Sequence, residues 1–152
     1  MITVEEIEAA QRAWGEGVVA IGAAPSWDQS HARAVAFVSK TYALSDATLL
    51  FCPTKARETQ FRATLEDAVS YFVGGDARHS EDGGFALEPW TSVRFENTGF
   101  VCREGIALAM GNYFFTGTDG VAVKVEYSFA YVRGEAGQLL VQLHHSALPY
   151  SG

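Results

Sequence analysis

The sequence predicts an α+β fold in which N-terminal helices pack in the concavity of a curved, mainly antiparallel sheet. Three observations carry this. Apolar residues recur at helical spacing in three segments of the first half, the pattern turns to strand-like alternation after Phe85, and short Gly-containing breaks join the later segments as hairpins. A sheet curved strongly enough to wrap the helices forms a cone with one internal pocket.

Taken in order, Thr3-Val4-Glu5-Glu6 has the form of a capping box and opens a first helix. Val4, Ile7, Gln11, Trp14, Val18 and Ile21 fall three and four apart, and all but Gln11 are apolar. Gly15 and Gly17 weaken that helix by up to about 1 kcal/mol each, and the run from Gly22 to Pro25 ends it. A second helix is expected from Ser30 to Tyr42, with Ala34, Phe37, Val38 and Tyr42 on one face. Ser45-Asp46 makes a turn and Ala47 to Cys52 a short apolar strand, broken at Pro53-Thr54-Lys55. Thr64 caps a third helix over Leu65 to Phe72, which Gly74-Gly75 terminates. Asp76 to Gly84 reads as a mobile polar loop. Strands follow at Thr91–Glu96, Gly99–Arg103, Ile106–Thr116, Val121–Val132 and Gln138–Ser146.

The chain of 152 residues suits a single domain spanning residues 1–152, with a core of its own. A formal charge of −7 argues against nucleic acid and against an anionic membrane surface as partners. Two cysteines, Cys52 and Cys102, without a CxxC spacing do not make a disulfide framework and read as small strand hydrophobes. The acidic, helix-forming start does not resemble a signal peptide, and no apolar run approaches the roughly 18 residues of a membrane span, so a cytoplasmic location is expected.

The chemistry centres on the last strand and its exit, Leu143-His144-His145-Ser146. Alternation puts Leu139, Val141, Leu143 and His145 on one face and Leu140, Gln142, His144 and Ser146 on the other. Two histidines on opposite faces do not share a metal ion, and no HExxH or Cys–His spacing exists, so no metal and no cofactor are expected. A serine hydrolase would want a GxSxG elbow, which is absent. What remains is a set of hydroxyls and one imidazole: Thr54 at the exit of the first strand, Tyr71 on the third helix, and Ser146 with His144 on the last strand. Singly, Thr54 is also a turn residue, Tyr71 an amphipathic wedge and Ser146 a strand terminator. Together they suit a small planar oxyanion such as bicarbonate, whose oxygens need several fixed donors more than a full positive charge.

The segments Phe51-Cys52-Pro53-Thr54-Lys55, Gln60-Phe61-Arg62, Leu65–Phe72, Phe85–Trp90, Val93–Gly99, Ala109–Phe115, Lys124–Tyr127 and Leu143–Ser146 resemble the iota-class carbonic anhydrases, most closely their metal-free cyanobacterial and algal branch. That family is similar to the association domain of calcium/calmodulin-dependent protein kinase II, within the nuclear transport factor 2-like fold. The resemblance runs from about Val4 to Pro149. It implies reversible hydration of CO2, with bicarbonate held by the hydroxyls of Thr54, Tyr71 and Ser146 beside His144. Where the family shows a further serine and a further histidine, this chain has Ala147 and Leu143, on the face opposite Ser146. Trp14, Phe37 and Phe72 are the candidates for an apolar wall receiving CO2, and each also reads as plain core. Tyr71 or His144 would relay the proton. A homodimer is expected from the aromatic faces of a broad sheet. Two other readings share the fold: an association module using the Val123–Tyr131 face, and a small-molecule isomerase or binding protein, for which Glu126 is the nearest carboxylate.

Overall fold

The capping box forms at Thr3, whose hydroxyl accepts from the Glu6 N–H at 3.2 Å while the Glu6 carboxylate accepts from the Thr3 N–H at 2.9 Å. From there α1 runs over Val4–Gly22. The computed structural model describes residues 1–45 and 48–152, and continues with α2 (Trp27–Thr41), β1 (Leu50–Cys52), α3 (Leu65–Val73), β2 (Trp90–Cys102), β3 (Ile106–Gly117), β4 (Ala122–Arg133) and β5 (Leu139–Ala147). The expected turn residue Asp46 and the first residue of the expected strand, Ala47, lie outside the described residues. Helix α2 starts earlier than expected because Ser26 caps it, accepting from the Gln29 N–H at 3.2 Å. Its first turn holds only Trp27, Asp28, Gln29 and Ser30, in which one exposed aromatic sets no apolar period. Thr64 caps α3 as expected, accepting from the Asp67 N–H at 3.1 Å.

The strands form one sheet in the order β1-β5-β4-β3-β2, antiparallel except for the β1–β5 pair. The two segments expected at Thr91–Glu96 and Gly99–Arg103 are a single strand, β2, with a register shift between Asn97 and Gly99. An irregularity of this kind bends a strand and increases its twist. Gly111 faces it on β3, where a Cβ would stand 2.3 Å from the Glu96 carbonyl oxygen. The same bend explains Gln11, the one polar residue on the apolar face of α1. Gln11 is buried and exchanges hydrogen bonds of 2.7 and 2.9 Å with the Asn97 amide.

The helices fill the concave side. Gly17, read from sequence as a weak point of α1, makes room for α2: a Cβ there would lie 2.3 Å from the Phe37 ring. The alternation on β4 resolves in the same sense. Val125, Tyr127, Phe129 and Tyr131 are all buried against the helices, so this heavy face is core and is not available for association. Glu126 lies on the outer face and is exposed, which removes it as the base of an isomerase pocket. Exposed apolar residues of the sheet include Ile106, Leu108 and Met110 on β3, with Val101 on β2 and Val123 on β4. On β5 a register shift sets Tyr131 opposite Val141 and Ala130 opposite Leu143, leaving Gln142 as an extra residue. Val141 is consequently buried on the same side as His144, where strict alternation had separated them.

The segment Asp76–Gly84, expected to be mobile, is clasped. The Glu81 carboxylate accepts from the N–H groups of Arg57 (2.7 Å), Glu58 (3.1 Å) and Thr59 (2.8 Å). Those donors hold its pKa down at about 2. Beside it, Arg62 is fully buried and makes a bidentate pair with Asp82 at 2.8 Å on both arms. Arg62 also donates to the carbonyls of Thr59 (2.7 Å) and Asp67 (3.0 Å), and Ser70 donates to Asp82 at 2.7 Å. Thus the stretch after β1 and the stretch after α3 are fastened to each other over the end of α3.

Candidate active site

The parallel register of β1 and β5 sets Phe51 opposite His144 and Cys52 opposite His145. Pro53 ends β1, and the next residue, Thr54, brings its hydroxyl within 2.5 Å of the Ser146 hydroxyl. Helix α3 is buried on nearly every side, which carries Tyr71 into the same space. The Tyr71 hydroxyl accepts from the Lys55 N–H at 3.2 Å, and its ring stacks on Phe85 with centroids 5.6 Å apart. Phe85 is supplied by a short 3-10 turn over Phe85–Leu87. His144 and Ser146 point inward together, as alternation requires, and His145 points outward and is exposed. Thr54, Tyr71 and the His144–Ser146 pair, from three separate stretches of the chain, therefore meet in one pocket.

Its lining is Trp14, Phe51, Pro53, Thr54, Tyr71, Phe72, Phe85, Tyr113, His144 and Ser146. None of these is Asp, Glu, Lys or Arg. The void is about 10 Å³, room for about one water. A wider vestibule of about 390 Å³ shares Tyr71 and Phe85 with it and is rimmed by Lys55, Glu81, Asp82 and Glu88. Of the expected wall, Trp14 and Phe72 line the pocket, whereas Phe37 does not. Phe37 stands behind both, its ring centroid 6.2 Å from Trp14 and 5.5 Å from Phe72.

Two tyrosines complete the polar site beyond the residues expected from sequence, and Phe51, Pro53 and Phe85 add to its wall. Tyr113 on β3 bonds His144 Nε2 at 3.0 Å and the Ser146 hydroxyl at 2.5 Å. Tyr42, just past α2, bonds His144 Nδ1 at 2.9 Å. Tyr113 shares strand parity with Ala107, Ala109 and Phe115, all of them buried, and that parity is the sequence signal that places it. Tyr42 gave none, because its apolar spacing on α2 already accounts for it as core.

Burial pushes the phenols of Tyr42, Tyr71 and Tyr113 up from their ordinary value, so each is a hydrogen-bond donor and not a base. Burial, and secondarily the neighbouring His145, pushes His144 well below 6.5. It is neutral in the neutral pH range, with both ring nitrogens already engaged, by Tyr42 and Tyr113. The linkage has a definite sign. Below pH 6.5 the unfolded chain protonates this histidine and the folded chain does not. The stability it contributes is present above that pH and is lost as pH falls toward the folded value, by at most about 1.4 kcal/mol per pH unit. Thermal melts between about pH 8 and pH 5 should show a decline that His144→Gln flattens; an identical decline in the variant would contradict the assignment.

An α+β cone of this order, with its helices in the concavity, defines a class of protein. A nuclear transport factor 2-like superfamily protein from Salmonella enterica superposes with a TM-score of 0.58 at 8% identity, over 97% of this chain and 91% of that one, and shows the fold alone. Sequence and structure together go further. The family model for metal-independent carbonic anhydrase matches residues 5–148. The metal-independent carbonic anhydrase of a Nostoc species is 37% identical over 153 residues, covering 98% of this chain and 75% of that protein. The crystal structure of an iota-carbonic anhydrase from a cyanobacterium, complexed with bicarbonate, superposes with a TM-score of 0.96 at 35% identity, over 99% of this chain and 94% of that one. The chain belongs to the metal-independent carbonic anhydrase family.

Proposed function

We propose that the chain catalyses the reversible hydration of CO2 to bicarbonate in this pocket, with the product held by the hydroxyls of Thr54, Tyr71 and Ser146 beside His144. The observation that carries the reading is the convergence of four hydroxyls, those of Thr54, Tyr71, Ser146 and Tyr113, in a cage otherwise lined by rings and free of ionised side chains. The bicarbonate complex of the cyanobacterial relative supports it. CO2, being apolar, rests against Trp14 and Phe72. The oxygen of a water attacks its carbon, one C–O π pair moves onto an oxygen, and the hydroxyl donors meet the charge that develops there. In a low-dielectric cage these donors act more strongly than in water. One proton leaves for solvent, and bicarbonate departs through the vestibule. The small void means that bicarbonate parts the Thr54 and Ser146 hydroxyls as it forms, since only about one water fits between the closed walls.

Stopped-flow CO2 hydration tests this on protein stripped with a strong chelator, with metal content checked on the same sample. Full activity is expected after stripping. Activity that returns only with added manganese or zinc would overturn the metal-free reading, and none under either condition would overturn the enzyme reading. The exposed Ile106, Leu108 and Met110 on the outer face of β3 make a second copy of the chain the proposed partner. Light scattering at micromolar concentration should give a dimer, and Leu108→Lys with Met110→Lys a monomer; a monomeric parent would remove the proposal.

A further inference from the structure

Trp14 is 3% exposed and lies among the rings of Phe37, Phe72, Phe95, Phe115 and Phe129. Its one polar hydrogen is directed at the Tyr42 hydroxyl, 3.0 Å away. What each polar atom can do then determines the next. An indole N–H only donates, so the Tyr42 oxygen accepts there. Tyr42 is buried and its other hydrogen-bond partner is His144 Nδ1 at 2.9 Å. The Tyr42 hydrogen goes to that nitrogen, because a buried hydroxyl hydrogen without an acceptor has lost its hydrogen bond to water and gained nothing in return. Nδ1 accepts, so the single hydrogen of the neutral ring is on Nε2, directed at Tyr113, 3.0 Å away. Tyr113 accepts from the ring and donates to Ser146 at 2.5 Å. Ser146 in turn donates to Thr54 at 2.5 Å. The Thr54 hydrogen is the one that no earlier member of the chain uses.

We infer that Trp14, Tyr42 and Tyr113 are positioning residues, which hold a one-way hydrogen-bond chain from the Trp14 indole through Tyr42, His144, Tyr113 and Ser146 to Thr54, fix His144 as its Nε2–H tautomer, and leave one hydroxyl hydrogen at Thr54 facing the substrate. The inference rests on the hydration reading of the pocket but concerns hydrogen placement that can be seen without turnover. It has two consequences. A proton passed backward along the chain would have to end on Trp14, which has no lone pair to take it. The proton shed in hydration therefore leaves on the Thr54 and Tyr71 side, toward the vestibule, and not through His144. Protonating His144 on Nδ1 would also set two donors against the Tyr42 oxygen and strand the Tyr42 hydrogen, so the chain itself opposes the imidazolium. The titratable groups packed on the ring are Tyr42 and Tyr113, with His145 next in sequence; the remaining neighbours are Trp14, Phe51 and Phe129. None of those phenols ionises near neutrality.

The four histidines make 15N spectroscopy of the full chain tractable. In the parent protein His144 should be the neutral Nε2–H form across about pH 5.5 to 8.5. The Nδ1–H form or an imidazolium in that range would overturn the chain. Trp14→Phe keeps a ring and deletes the first donor, after which Tyr42 can reverse. A mixture of both tautomers should appear, with kcat for CO2 hydration falling about tenfold and KM little changed. A single unchanged tautomer in the variant would overturn the part assigned to Trp14. If Trp14→Phe fails to fold, Tyr42→Phe, which deletes one oxygen, asks the same question with the same readout. Added imidazole should not restore activity to His144→Ala; restoration would mean that the proton does pass through this ring. An Nε2–H tautomer in a parent that does not hydrate CO2 would uphold the hydrogen placement and sink the hydration reading alone.

Discussion

Tyr71→Phe and Ser146→Ala are each expected to lower kcat/KM for CO2 hydration by about 100-fold or more, the usual size of effect when donation to a developing oxyanion is removed, directly at Tyr71 and through the Thr54 hydroxyl at Ser146. Stopped-flow assays with exogenous buffer measure this directly, and thermal melts on the same samples report folding. The two changes are chemically distinct. Tyr71 stands at the open side of the pocket, where its loss takes the acceptor from the Lys55 N–H. Ser146 lies between Tyr113 and Thr54 at 2.5 Å from each, so its loss also takes the acceptor from a buried phenol. Ser146→Ala should therefore cost stability as well, about 1–3 kcal/mol, while Tyr71→Phe should melt close to the parent. Parent-like activity in both variants would mean that the reaction occurs elsewhere in the molecule.

Arg62→Met should lower the free energy of unfolding by about 3–5 kcal/mol, because it leaves a buried carboxylate without its counter-ion. Asp82 is 1% exposed and would keep only the Ser70 hydroxyl of its side-chain partners. Urea titration gives the number. Arg62→Lys should recover little of it, since an ammonium cannot reproduce a two-armed pair together with the bonds to the Thr59 and Asp67 carbonyls. Replacing Asp82 by Leu in the Arg62→Met background should restore part of the loss. A ΔG within about 1 kcal/mol of the parent for Arg62→Met would mean that the pair contributes little beyond its own desolvation cost.

What was legible in the sequence was the part governed by spacing. The capping residues Thr3 and Thr64, the inward pairing of His144 with Ser146 and the α+β order all follow from local rules that the structure obeys. What was hidden depended on partners distant in sequence. Arg62 and Asp82 are twenty residues apart in polar stretches, and nothing local says that both are buried; the glycine-rich loop looked free for that reason. Ser26 was missed as a cap because the apolar period of α2 starts later than the helix. The β5 register shift at Gln142 broke the alternation for Val141 but left the two functional side chains in step. Phe37 was assigned to the pocket wall because helical spacing gives the face of a residue but not its depth.

The pocket draws on α1 for Trp14, on the end of β1 for Thr54, on α3 for Tyr71, on β3 for Tyr113 and on β5 for His144 and Ser146, with Tyr42, at the end of α2, behind His144. No two adjacent elements hold enough of it to work alone. Partial loosening of the fold, as in a swollen acid state that keeps its helices and strands but not its packing, would leave backbone signals intact while dispersing the hydroxyls. Turnover in this protein is thus a gauge of tertiary order, and on mild denaturation it should vanish together with near-ultraviolet dichroism and ahead of far-ultraviolet dichroism.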